Sequence, residues 1–591
     1  MGKLPAIHQR PNCTDGETAP ICASECCNDV QAQFPPPGEP KGRRAVPLGK
    51  ARASTEAGAL ADSEVKELLV VGAGPHALSL LLRLLEPDAD LLSDKDRHLR
   101  AESRSQMRPI SDVYRHLRKL SRGPSATLRR GRKAPPLDGG GPPPLSLGTV
   151  RDSVLVVDSH GGWLSGWKQN FEALGIKTLR SLMNAHADPF DHRSLEFYAD
   201  ASRAEELVPL PDLRQRDRDF RGPYLAPSAA LFQDFHDLLA RAYGIHDIVR
   251  KGTVRSIHPA RDGQSGEPIF QAIIGCGPEP DSAPVVVRAR RVVFAMGPIF
   301  KAGGAFWEAA LEKELVGKHY PSDRILHPPE IVPYLMARNA KSQQDGQQQV
   351  RRLLIVGGGI TSAQLALSAA KAPWCSSVQL IQRSRGIARH FDIENKWMGP
   401  RRGQLLDDFW ALNMPERAQL LQDARLGGSI PPEILKDLLH CSEEEASNGL
   451  EVKEEVEISN VHWNGHELRV TLDDGSDTEG YDMIWLATGC ENHLDSYSVF
   501  SHLRDVLPVD VVNGLPVLDK RLSWRRPHEE ATDESTWKMM ARKRLWCMGA
   551  LAGLELGPDA LNLIGARQGA VRVATAIRYD MMDTAAEERE Q

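Results

Sequence analysis

The sequence predicts an α/β fold with two Rossmann-like dinucleotide-binding domains, the second inserted into the first. Three observations carry the prediction. An apolar strand, Leu68 to Val71, runs through the turn Gly72-Ala73-Gly74 into an apolar helix opening at Pro75. The same order recurs about 285 residues later, where the strand Leu353 to Val356 runs through Gly357-Gly358-Gly359 into a second apolar helix. A last strand, turn and helix, Leu545 to Arg578, form the piece expected to return to the first domain.

Composition bounds the class. With 591 residues, 41% of them hydrophobic, the chain has enough apolar material for two or three domains with sizeable cores. The 73 basic and 79 acidic residues give a formal net charge of -6, so no bulk positive field would hold nucleic acid. Arg83 and Glu86 interrupt the most apolar stretch, and no membrane span is expected. The nine cysteines are scattered rather than spaced as a disulfide framework. Cys22, Cys26 and Cys27 lack a spaced histidine, so no metal site is expected. The expected location is cytoplasmic, and the N-terminal leader leaves organelle targeting open.

The domains follow in order. Residues 1–64, with Pro35-Pro36-Pro37 and a run of small polar residues, read as a disordered leader that buries too little apolar surface to offset chain entropy. Residues 65–300 are the first part of the first domain, interrupted at 92–150 by an insertion with 13 basic and 5 acidic residues. That insertion reads as solvated and partly disordered, and the competing reading is a local patch for an anion or a partner. Residues 301–485 form the second domain, 486–578 return to the first, and 579–591 are a tail. Helical periodicity covers Ala229 to Ala242, and strand pattern covers Val285 to Ala295.

The first glycine turn has the form G-x-G-x-x-A. Gly72 permits the tight turn, Gly74 lets backbone amides approach a pyrophosphate, and Ala77 allows the helix to pack closely on the sheet. Such a fold also needs an acceptor for ribose hydroxyls at the end of its second strand. No strand lies at the usual spacing, but Asp158 ends the apolar run Val154 to Val157, which implies that the basic insertion loops out between helix and strand. The competing reading of Asp158 is a simple turn cap.

In the second turn, Gly357, Gly359 and Ser362 take the corresponding places. Its second strand, Val378 to Gln382, ends in Arg383-Ser384-Arg385. Guanidinium groups suit a 2′-phosphate, which an acid would repel, so NADPH is favoured over NADH. The competing reading is a solvated strand end. Two further strand ends, Ala295-Met296-Gly297 and Ala487-Thr488-Gly489, carry the small residues that let a chain pass beside a nucleotide.

From about Glu67 to Arg578, leaving out the basic insertion, these residues resemble the class B flavin-dependent monooxygenases, in particular the lysine/ornithine N-hydroxylase-like branch. The resemblance implies FAD on the first glycine turn and NADPH on the second, with strand ends such as Gly489 linking the domains. Thr178-Leu179-Arg180 is similar to the family's segment beside the flavin. Pro227-Ser228 with Phe232, Asp234 and Phe235 is similar to a characteristic helix start. Trp546-Cys547-Met548-Gly549 and Asn562-Leu563-Ile564-Gly565 resemble the C-terminal strand and helix that face the flavin. Trp163 and Trp167 lie where a flavin ring would need an apolar wall, with ordinary core as the competing reading. There are departures. Leu174 stands where the amino-acid hydroxylases carry a lysine, and Gly549 lacks the usual following Asp, for which Asp559 is a candidate substitute.

The resemblance implies that NADPH reduces FAD and that the reduced flavin activates molecular oxygen as a C4a-peroxide. The product would be an oxygenated small-molecule substrate, N-hydroxylation of an amine being one form. No side chain is singled out as a catalytic residue. Two other readings remain: an NADPH:acceptor reductase or oxidase, and a non-catalytic regulatory protein that keeps the fold. Disulfide reduction is disfavoured because Cys276, Cys375, Cys441, Cys490 and Cys547 are too far apart in sequence for a redox pair.

Overall fold

The structure is a computed structural model. It describes residues 65–86, 144–189, 193–199, 202–210, 225–263, 265–276, 284–298, 311, 322–341, 349–399, 401–425, 428–443, 449–489, 492–528 and 534–590. The expected leader and nearly all of the basic insertion lie outside these residues. The insertion's last residues belong to the helix Leu147–Ser153, whose first turn is capped by the Ser146 hydroxyl accepting from the Thr149 amide.

Two parallel sheets organise the chain. The first takes β1 (Leu68–Val71), followed by α1 (Pro75–Leu85), then β2 (Val154–Asp158), β3 (Val249–Lys251) and β4 (Val292–Phe294). The second takes β5 (Ile325–Leu326), β6 (Leu353–Val356), followed by α2 (Ile360–Ala370), then β7 (Val378–Gln382), β8 (Leu450–Glu454) and β9 (Met483–Leu486). The chain then supplies β10 (Leu545–Cys547) and the long helix α3 (Leu563–Glu590).

The strand orders are β10-β4-β1-β2-β3 and β5-β9-β6-β7-β8, and every neighbouring pair is parallel. The sheets are therefore laid out alike, with the glycine-turn strand central in each. Strands of the first sheet bracket those of the second along the chain. Both central strands are apolar at every position because parallel sheets are covered on both faces. The helix α1 packs along α3 over the first sheet.

The expected strand Val285 to Ala295 is divided. Val285–Ala289 joins an antiparallel sheet with Pro268–Gly275, and the chain crosses at Arg290 and Arg291 before β4. Arg291 is fully buried. It donates to Asp580 at 2.6 Å and Glu67 at 2.6 Å, while Arg544 donates to Glu267 at 2.7 Å and shares Asp580 at 3.1 Å. This network engages residues beyond the helix end expected at Arg578. The helix continues to Glu590, because Asp580 and Thr584 are needed to satisfy the two buried guanidinium groups. Among the described residues, no helix is long and apolar enough to cross a membrane.

Candidate functional site

The carboxyl ends of β1 and its neighbours converge at the first glycine turn. Gly72 sits at φ +101°, and a Cβ there would fall 2.7 Å from the Ala295 carbonyl oxygen. The strands are held at that separation by the Ala295 amide donating to the Val71 carbonyl at 2.9 Å. Gly74 caps α1 in extended conformation, and a Cβ added to it would meet nothing within 4 Å. The amides at this helix start thus border open space, the arrangement that receives a phosphate. Ala77 is fully buried against the sheet.

Asp158 stands beside this turn. Val157 is in register with Val71, so Asp158 is the first residue past the paired strand ends. One carboxylate oxygen accepts from the Ala73 amide at 3.0 Å and the other from the His160 amide at 2.8 Å. It is placed at the edge of the loop with its oxygens in use by backbone donors.

The second turn repeats this construction more tightly. A Cβ on Gly357 would fall 2.3 Å from the Ala487 carbonyl oxygen, and the Ala487 amide donates to the Val356 carbonyl at 2.8 Å. Gly358 has no neighbour within 4 Å of a built Cβ, and Gly359 caps α2. Ser362 is fully buried, and its hydroxyl is satisfied by the Gly359 carbonyl at 2.7 Å. Gly489 takes φ +104° beyond β9, with open space at its Cβ position. Arg383 and Arg385 are largely exposed past the end of β7. They face Glu457 at 3.6 Å and Glu455 at 3.0 Å, pairs weak enough to be exchanged for a phosphate.

Two residues expected at the cofactor have protein partners. Trp163 is 5% exposed within the core around the first sheet, and its indole N–H donates to the Ile245 carbonyl at 2.7 Å. Arg180 reaches across to the second half of the molecule. It donates from Nε to the His390 carbonyl at 3.0 Å, from Nη1 to the Ser429 carbonyl at 3.1 Å, and from Nη2 to the Arg389 carbonyl and the Ser429 hydroxyl at 3.0 Å each. The guanidinium is spent on a backbone clamp. Burial pulls its pKa down from the ordinary arginine value, with Asp392 and Glu433 opposing.

At the C-terminal piece, Gly549 takes φ +73° just past β10, near the Met296 carbonyl. Asn562 precedes α3, its amide N–H donating to the Asp559 carbonyl at 2.8 Å. Asp559 is fully buried and held by Arg402 at 2.5 and 3.0 Å, so it forms an ion pair rather than facing the glycine turn. Leu174 packs against the core of the second sheet.

Sequence reasoning missed two residues at these strand ends. His76, inside the first glycine motif, hydrogen-bonds the Leu561 carbonyl through Nε2 at 3.1 Å, and burial lowers its pKa to about 4. Gln382 ends β7 in the register that Asp158 holds in the first sheet, and its buried amide finds no hydrogen-bond partner among the described residues. The signal for His76 was its position two residues past Gly74. The signal for Gln382 was its place as the last residue before Arg383.

No family model matches this chain, and neither does any curated protein. Solved structures do. An ornithine N-hydroxylase from Kutzneria sp. 744, in complex with reduced FAD, NADP+ and L-ornithine, aligns with TM-score 0.56 at 14% identity, covering 88% of this chain and all of that one. An L-lysine 6-monooxygenase from Pseudomonas syringae aligns with TM-score 0.52 at 16% identity, covering 87% and 99%. A cadaverine monooxygenase from Erwinia amylovora, bound to FAD, gives TM-score 0.52 at 13% identity, covering 87% and 95%. At these identities the likeness is one of fold. The chain has the mixed α/β fold of flavin-dependent N-hydroxylating monooxygenases.

Proposed function

We propose that this chain is a flavin-dependent NADPH monooxygenase, with FAD over Gly72, Gly74 and Ala77 and NADPH over Gly357, Gly359 and Ser362. The observation that carries this reading is the matched pair of close approaches, Gly72 to Ala295 and Gly357 to Ala487, in two sheets of the same strand order. A side chain at either glycine would collide with backbone, and each turn opens onto space at the start of a helix. The fold shared with the N-hydroxylases supports the same assignment. The domains then read as 65–300 with 486–578 for FAD and 301–485 for NADPH.

FAD supplies hydride acceptance and oxygen activation when bound. The chain's own share is positional. Amides at Gly74 and Gly359 receive pyrophosphates, Asp158 lies beside the adenosine end of the first site, and Arg383 and Arg385 supply positive charge for a 2′-phosphate. Arg180 holds the segment at 389–390 and Ser429 against the first half of the molecule. The substrate class is a small nucleophilic molecule, with an amine as the specific form.

A purified sample is expected to be yellow, to oxidise NADPH and to consume oxygen. Protein that binds no flavin, natively or after incubation with FAD, would overturn the reading. The second reading, an NADPH oxidase without oxygenation, is favoured by Leu174 in place of a lysine. Measuring hydrogen peroxide against NADPH consumed, with candidate amines present, separates the two. Oxygenation lowers that ratio and forms a hydroxylated product, whereas oxidase turnover keeps it near one.

A further inference from the structure

At the first glycine turn, a buried polar atom has no hydrogen-bond partner among the described residues. His76 lies in the first turn of α1, and its Nε2 is 3.1 Å from the Leu561 carbonyl oxygen. A carbonyl only accepts, so Nε2 carries the hydrogen and Nδ1 of the neutral ring presents a lone pair. Burial keeps the ring neutral, lowering its pKa to about 4. Nδ1 is sealed from solvent and has no hydrogen-bond partner among the described residues. A buried acceptor without a donor is unfavourable, so the fold has a reason to receive one there.

The sheet order says which part of a dinucleotide would arrive. A Cβ built on Gly549 lies 3.8 Å from both Nδ1 and Cε1 of His76, so this edge of the ring faces the end of β10. Asp158 lies on the other side of the glycine turn, at the end of β2. With β10 and β4 on one side of β1 and β2 on the other, a dinucleotide crosses the strand ends from Asp158 toward Gly549. Its adenosine ribose falls near Asp158 and its pyrophosphate over Gly74. The next segment, the chain leading to the ring, passes His76.

Chemistry narrows the contact further. A lone pair cannot accept from a pyrophosphate or from a flavin carbonyl, because neither offers a hydrogen. The ribityl chain offers hydroxyls. Resting on the assignment of FAD to this turn, we infer that His76 Nδ1 accepts a hydrogen bond from a ribityl hydroxyl of FAD, with its tautomer fixed by the Leu561 carbonyl. His76 is thus a cofactor-binding residue that bridges the first glycine turn and the C-terminal piece.

The test is FAD binding to full-length apoprotein, followed by flavin fluorescence, for wild type, His76→Phe and His76→Asn. Each is titrated with FAD and with analogues lacking single ribityl hydroxyls. Phe keeps ring volume and removes the acceptor, whereas the Asn amide oxygen restores one near Nδ1. The expected result is a dissociation constant for FAD raised about tenfold in His76→Phe and partly recovered in His76→Asn. Wild type should also discriminate against one deoxyribityl analogue by about the same factor, and His76→Phe should not. Equal affinity of all three proteins for FAD overturns the inference while leaving FAD binding standing. A Phe effect of the same size on FAD and every analogue also overturns it. If wild type binds no FAD, both this inference and the assignment beneath it fall. Should His76→Phe fail to fold, wild type compared across the analogues still decides, since no discrimination means no ribityl contact.

Discussion

Gln382 occupies in the second sheet the position that Asp158 occupies in the first. Val156 and Val157 pair with Val70 and Val71 as Leu380 and Ile381 pair with Ile355 and Val356, and each residue is the next one along. One glycine turn therefore has a carboxylate at its shoulder and the other a neutral amide. A carboxylate would repel a 2′-phosphate, so Gln382→Glu is expected to weaken NADPH binding by about tenfold while changing NADH binding little. Dissociation constants for the two nucleotides, with a melting curve to confirm folding, check this.

Arg383 and Arg385 give the attractive counterpart. Both are exposed and only loosely engaged by Glu457 and Glu455. The double variant Arg383→Ala with Arg385→Ala should raise the KM for NADPH about tenfold and leave that for NADH within a factor of two or so, because a charge-assisted contact to phosphate is worth about 1.5–3 kcal/mol. An equal loss for both nucleotides would show that the arginines do not meet the 2′-phosphate.

The two glycine turns should fail separately. Gly72→Ala drives a methyl toward the Ala295 carbonyl and should abolish flavin retention. Gly357→Ala meets Ala487 at still shorter range and should remove NADPH oxidation while the protein stays yellow. Positive φ at both positions adds strain of about 1–3 kcal/mol. Absorbance spectra and NADPH turnover on the same preparations distinguish the two outcomes.

Much of this was legible because the signals are local. The strand, glycine and helix of each turn lie within about ten residues, and the extended spacing to Asp158 followed from the apolar run before it. The partners of Arg180 were not legible because they lie 209 to 249 residues away, and a motif cannot say which carbonyls a guanidinium will meet. The partner of Trp163 was hidden for a related reason, since Ile245 comes from beyond the helix Ala229–Ala242. The continuation of α3 was missed because its justification is the ionic network with Arg291 and Arg544, which no helical periodicity records.

Arg180→Ala would strip donors from the Arg389, His390 and Ser429 carbonyls. The expected cost is about 3 kcal/mol of stability, with Arg180→Lys in between. Affinity for FAD should stay within about threefold of wild type if the guanidinium serves only these protein acceptors. Denaturant unfolding combined with FAD titration checks both halves, and a large loss of FAD affinity at unchanged stability would return Arg180 to the cofactor.

Stability should also fall in mild acid. His236 is fully buried, with Nδ1 donating to the Phe232 carbonyl at 2.7 Å and Nε2 accepting from the Ala187 amide at 3.2 Å, and burial lowers its pKa from 6.5 to about 4. The unfolded chain then binds the extra proton between these values, so the stabilisation present above pH 6.5 is lost as pH falls toward 4, by about 3 kcal/mol. His236→Phe should lower stability at neutral pH and flatten this slope. Chemical denaturation at several pH values measures it.

The place of β10 has a consequence for how the protein is made. This strand lies against β4, yet about 250 residues separate Phe294 from Leu545. At about 5–20 residues per second, a ribosome needs roughly 10–50 s to synthesise that interval. Throughout that time the emerging first sheet has β4 as a bare apolar margin, with its backbone groups waiting for a neighbour. The nascent chain is thus exposed to mispairing until β10 has been synthesised, and its yield in cells should depend on chaperones that shield an unfinished sheet edge.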